Sequence, residues 1–194
     1  MEWVVPAVLV ILLTWAGWIR ARLLRLRRTT VEAWPPLAAQ LQRRHGLVTP
    51  LAQALQNLPR KAQKPVQALL AARNAAVVAD LSPMAAGVAE QALESAIINA
   101  VAQGETLPDQ VDGARLAQIA AAFEQVASDI TAAAEAFNQA AFAYNTTSMG
   151  APAILIARWL NYATFEYFGL EQAERDALRD MERGYTPAPG APMA

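Results

Sequence analysis

Cysteine is absent from the 194-residue chain. That excludes a disulfide framework, thiolate metal ligands, a cysteine nucleophile and a lipidated N-terminal cysteine. Histidine occurs once, as His45, so no histidine-based zinc site can be assembled. No glycine-rich phosphate loop is present; Gly104, Gly113, Gly150 and Gly169 read as helix punctuation. One histidine and scattered carboxylates compose no catalytic constellation, so no catalytic, cofactor-binding or metal-binding residue is expected. Also missing is any run that alternates apolar and polar residues between turn signals, and no strand is expected.

What the chain has is alanine and apolar surface. Its composition is 55% hydrophobic, with a mean hydropathy of +0.18. Alanine-rich sequence with few β-branched runs favours helix. Part of the apolar excess is concentrated between Trp3 and Ile19, an uncharged run that includes Val10, Leu13, Trp15 and Trp18. As a helix it would be roughly 25 Å long, the lower end of what spans a ~30 Å hydrocarbon core. The tryptophans stand at its two ends, where an aromatic belt belongs. A cleavable signal needs basic residues before the apolar run, and here only Glu2 precedes it. A buried core helix with no polar face is not expected at a chain terminus. The run therefore reads as a membrane anchor.

Arg20, Arg22, Arg25, Arg27 and Arg28 follow the run at once, and nothing basic precedes it. Basic flanks stay cytoplasmic, which points the N-terminus outward and the following domain inward. The same arginines lie where anionic headgroups attract them. The net charge of −1 conceals a polarity: residues 1–73 hold eleven basic and two acidic side chains, and residues 74–194 hold five and fifteen. The basic cluster has no interleaved aromatics, so lipid is the expected surface partner and nucleic acid is not.

Helix is expected from Arg20 to about Glu32, with Pro35 and Pro36 starting a new one and Gly46 and Pro50 marking a break. A third helix is expected over 51–79, bent or split at Pro59 and Pro65. Ser82-Pro83 resembles an N-cap followed by proline at the first helical position, opening a helix that ends at Gly104. After a loop containing Pro108, Leu116, Ile119, Phe123, Val126, Ile130, Ala133, Phe137, Ala140 and Tyr144 recur at spacings of three and four. Such a stripe is a bundle seam within the chain or a surface that pairs with another copy. Asn138 and Asn145, seven apart, would fix register against neighbouring helices or receive a partner's backbone. Arg43 and Arg44 could hold an anion or pair with the acidic second half of the chain. His45 reads as a helix-terminal residue and not a base. Gly150 and Pro152 close the striped helix. A short aromatic helix follows with Trp159, Tyr162, Phe165, Tyr167 and Phe168, suited to core packing or to a membrane surface. Glu171–Arg183 reads as a solvated charged helix, and residues 184–194 as a disordered Pro/Ala tail.

The order of these elements resembles the LemA family. The resemblance is carried by Ala33-Trp34, Gln40-Leu41-Gln42-Arg43-Arg44, Ala72-Arg73, Glu105 with Pro108, Phe137-Asn138, Tyr144-Asn145, Pro152, Leu155-Ile156-Ala157 and Tyr167-Phe168. It runs over roughly residues 20–170. Gly46, Thr49-Pro50, Ala62 and Ala134 stand where the family has other residues, which marks a divergent member. The resemblance implies an all-α protein, with one N-terminal transmembrane helix followed by an antiparallel bundle of long helices and no agreed biochemical activity. A related branch, the magnetosome protein MamQ, takes part in forming magnetosome membranes.

The expected organisation is an anchor with its basic flank over 1–28, a bundle over 29–170, and the charged helix and tail beyond. The expected function is a non-enzymatic scaffold, without cofactor, on the bacterial inner membrane, which self-associates and organises or shapes that membrane. The alternative is an adaptor that presents its cytoplasmic domain to another inner-membrane protein, such as a protease or transporter, without assembling.

Overall fold

A computed structural model describes residues 3–79, 82–151 and 153–169. Five α-helices account for most of them: α1 (Val4–Ala54), α2 (Lys64–Ala79), α3 (Pro83–Glu105), α4 (Gly113–Met149) and α5 (Ala153–Trp159). Short 3-10 turns lie at Arg60–Ala62 and Pro108–Gln110. No strand occurs among the described residues. The protein is all-α, and its first helix is the long apolar one.

α1 departs most from expectation. It runs unbroken through Pro35, Pro36, Gly46 and Pro50. Each proline removes one backbone hydrogen bond. For the first two, the carbonyls released belong to Val31 and Glu32, which are both exposed, so water can satisfy them. Flanking residues hold the helix in place: Trp34 meets Phe137 and Phe168 edge-on at 5.3 and 6.3 Å between ring centroids, and Leu37 is fully buried. The expected 51–79 helix does split. α1 ends at Ala54, Pro59 leads into the 3-10 turn, and α2 begins one residue before Pro65.

α3 starts as its sequence suggests. The Ser82 hydroxyl accepts from the Ala85 amide with Pro83 at the first helical position. Past α5 the aromatic segment is not helical: residues 162–167 carry no regular structure. Gly169, with φ of +69°, turns the chain beyond them. The expectations for Pro152, Glu171–Arg183 and the tail lie outside the described residues.

The described residues form two compact units, one of 34–79, 82–137 and 166–169, the other of 3–33, 138–151 and 153–165. In the larger unit α1 and α4 run antiparallel, with Trp34 meeting Phe137 and Arg43 meeting Asp129. Its core draws Leu51 and Leu55, Leu69, Leu93 and Ala100, and Leu116 and Phe123 into one cluster. In the smaller unit α5 lies on α1, where Ala153 and Ala157 meet Ile19 and Leu23.

Candidate functional site

The start of α1 is apolar and uncovered. An 18-residue window there has a mean hydropathy of 1.9 and is only 6% buried. The core helix of a water-soluble domain would be mostly covered, because burying apolar surface is what stabilises it. Trp3, Val10, Leu13 and Trp18 are all exposed. Ile19 is not: it is buried beside α5. The five arginines that follow are all exposed. Arg22 stacks over Trp18 at 5.8 Å and Arg27 over Tyr162 at 5.4 Å, geometries suited to cation–π attraction. Arg28 pairs with Glu32 at 2.7 Å, one turn along the helix, and that carboxylate raises the guanidinium's pKa.

The α4 stripe is buried within the chain. Leu116, Ile119, Phe123, Val126, Ile130, Phe137 and Tyr144 are each at most 9% exposed. The alanines of the stripe, Ala133 and Ala140, are half-buried, as is Asn138. Asn145 receives backbone from its own chain. Its side-chain amide donates to the Phe165 carbonyl at 3.0 Å and its carbonyl accepts from the Phe165 amide at 2.9 Å. Phe165 belongs to the irregular segment after α5. A segment without regular structure leaves its backbone groups unpaired, and one asparagine can satisfy two of them at once. Tyr144 packs edge-on against Phe165, and burial pushes its phenol pKa up. Among the described residues its hydroxyl has no hydrogen-bond partner.

A buried ionic cluster sits between α1 and α3. Glu90 and Arg44 are each 4% exposed and form a salt bridge of 3.2 Å, and the other Glu90 oxygen bonds His45 Nε2. Arg44 also reaches Glu94 at 3.5 Å, and the Arg73 guanidinium donates to the His45 carbonyl at 3.1 Å. His45 is therefore an interior helix residue tied to a carboxylate, not a helix end. Arg43 and Arg44 both pair with the acidic second half, Arg43 with Asp129 at 3.3 Å. Glu90 was not anticipated from sequence, yet a signal existed. It lies in register with Ala86, Leu93, Ile97 and Ala100, which places a carboxylate on the apolar face of α3. Such a charge must find a cation. Chemically the cluster ties helices together: Arg44 and His45 occupy the carboxylate that a ligand would need. Among the described residues no group of three or more His, Cys, Asp or Glu side chains could hold a metal ion.

These features define an all-helical protein with one exposed N-terminal apolar helix, long enough to serve as a membrane anchor, and a bundle fastened by interior polar contacts. The family model described as LemA family matches residues 33–179, more than half of the chain, and the protein belongs to that family. A comparison with curated proteins finds no match.

Proposed function

We propose that this protein is a non-enzymatic scaffold of the bacterial inner membrane, held by the start of α1, with its bundle in the cytoplasm. The observation that carries this reading is the uncovered apolar window of α1, followed directly by exposed arginines. Water exposure of that window would be unfavourable by roughly 25 cal/mol per Å² of apolar surface. Lipid removes the penalty, and the arginines keep the adjoining end on the cytoplasmic side.

Self-association is the second part of the proposal. The α4 stripe is occupied within the chain, so copies would meet through another surface. Exposed apolar side chains gather where α2 ends and α3 begins: Val77, Val78, Met84 and Val88, with Val78 73% exposed. Apolar clusters of this kind are where soluble surfaces meet partners. A scaffold built this way would organise the membrane by concentrating anchors, in keeping with the analogy to the magnetosome branch.

The absence of cysteine makes a direct test simple. Val78→Cys protein, crosslinked with a short bismaleimide in native membranes, is expected to give a homodimer adduct. Adducts with other membrane proteins and none with itself would favour the adaptor. No adduct from single cysteines at Val77, Val78 or Val88 would remove self-association through this surface.

A further inference from the structure

We propose that α5 is a second membrane contact, with Leu155 and Trp159 entering the headgroup layer of the leaflet that receives the cytoplasmic end of the anchor. The proposal rests on the anchor reading above. Its starting point is where α5 docks. Ala153 and Ala157 pack on Ile19 and Leu23, with Ile156 and Tyr162 against the same cluster. Ile19 ends the uncharged run, and Leu23 lies one helical turn, about 6 Å, further on. A bilayer has interfacial layers of roughly 5–8 Å on each side of its hydrocarbon core. A helix fastened to that turn of α1 therefore lies in the interfacial layer.

The other face of α5 is exposed among the described residues. Leu155 is 70% exposed and Trp159 is 84% exposed. At 100° per residue, positions 155 and 159 lie on the side of the helix opposite 153 and 157. The bilayer surrounds the anchor, so a surface that is packed on α1 at this level and faces away from it meets lipid. Tryptophan prefers that layer because its ring is apolar and its indole N–H remains able to hydrogen-bond.

Charge agrees with this occupant. In the described part of the unit Arg20, Arg22, Arg25, Arg27, Arg28 and Arg158 stand against Glu32 alone. Arginine next to an apolar insertion can bury its stem while its guanidinium stays at the headgroups. An anionic lipid surface fits this collar. A second copy would bring a like-charged collar into contact.

The test uses the full chain, which has no native cysteine to remove. Single cysteines at Leu155, Trp159, Leu13 and Gln53 carry an environment-sensitive fluorophore in vesicles of phosphatidylcholine and phosphatidylglycerol. Quenching is by lipid spin-labelled near the top of the acyl chain. We expect labels at 155 and 159 to be quenched at least two-fold more than the exposed Gln53 label, with a blue-shifted emission. Quenching equal to that at Gln53, while the Leu13 label is lipid-quenched, would overturn the α5 contact and leave the anchor standing. An unquenched Leu13 label would overturn the anchor and this proposal together. Labels at 155 and 159 shielded equally in detergent and in vesicles, without lipid quenching, would assign the face to a second copy and overturn the lipid contact.

Discussion

Glu90 shares its two oxygens between Arg44 and His45 in a place where all three side chains are nearly dry. Desolvating such charges costs several kcal/mol per ion, so the pair is not a source of large net stability. Its asymmetry matters more. Glu90→Ala would leave Arg44 buried without its nearest carboxylate, facing the half-exposed Glu94 and the residue 90 carbonyl, and is expected to lower the unfolding free energy by about 3 kcal/mol. Arg44→Met combined with Glu90→Met is expected to lose less than that single substitution. Denaturant titrations of detergent-solubilised protein measure both. A double variant as unstable as Glu90→Ala would contradict the ion-pair account. At this scale the sequence was partly legible. Arg43 and Arg44 could hold an anion or pair with the acidic half, and both pair, Arg44 because a buried cation needs a carboxylate and Arg43 as an exposed ion pair. Asn145 was expected to fix register against neighbouring helices or to receive a partner's backbone, and its bonds to the Phe165 backbone could not be read from the sequence. That contact depends on the path of an irregular segment after α5, which has no periodicity to follow.

Between elements, local rules and tertiary packing competed, and α1 shows which prevailed. Two adjacent prolines ordinarily end a helix, and pattern alone offered no reason to continue. The reason lies in Trp34, whose ring partners Phe137 and Phe168 come from other parts of the chain, and in the full burial of Leu37 beside it. The Ser82 cap and the α4 stripe were legible because capping and heptad spacing are local signals. Glycines separate the two kinds of constraint. Gly46 lies inside α1 with nothing near a prospective Cβ. Gly46→Ala is expected to stabilise by about 0.5–1 kcal/mol, the helix-propensity difference. Gly87 in α3 lies under the chain turn at Gly169, and an added Cβ would clash with the Gly169 backbone nitrogen. Gly87→Ala is expected to destabilise by about 1–3 kcal/mol, since backbone must move. Thermal unfolding by circular dichroism distinguishes the two signs. Equal effects at both positions would contradict the close approach of α3 and the Gly169 turn.

For the molecule as a whole, the charge polarity of the sequence acquires a physical sense in two ways. Some of the acidic second half pairs with Arg43 and Arg44, while the arginines from 20 to 28 remain exposed beside the apolar end of α1. The apolar start of α1 was the most legible feature in the sequence, because a long uncharged run with basic residues on one flank stands out in composition alone. The α5 surface was less legible. Its segment read as an aromatic helix of undivided role, but only Ala153–Trp159 is helical, and its two faces separate once α1 is seen beneath one of them. Membrane insertion is the claim on which the scaffold and the second contact both depend. Its most direct measurement is fractionation of the full-length protein from lysed cells, followed by an alkaline carbonate wash. The account predicts that the chain sediments with the membranes and is released only by detergent. Recovery of intact protein in the supernatant, before or after the wash, would contradict it.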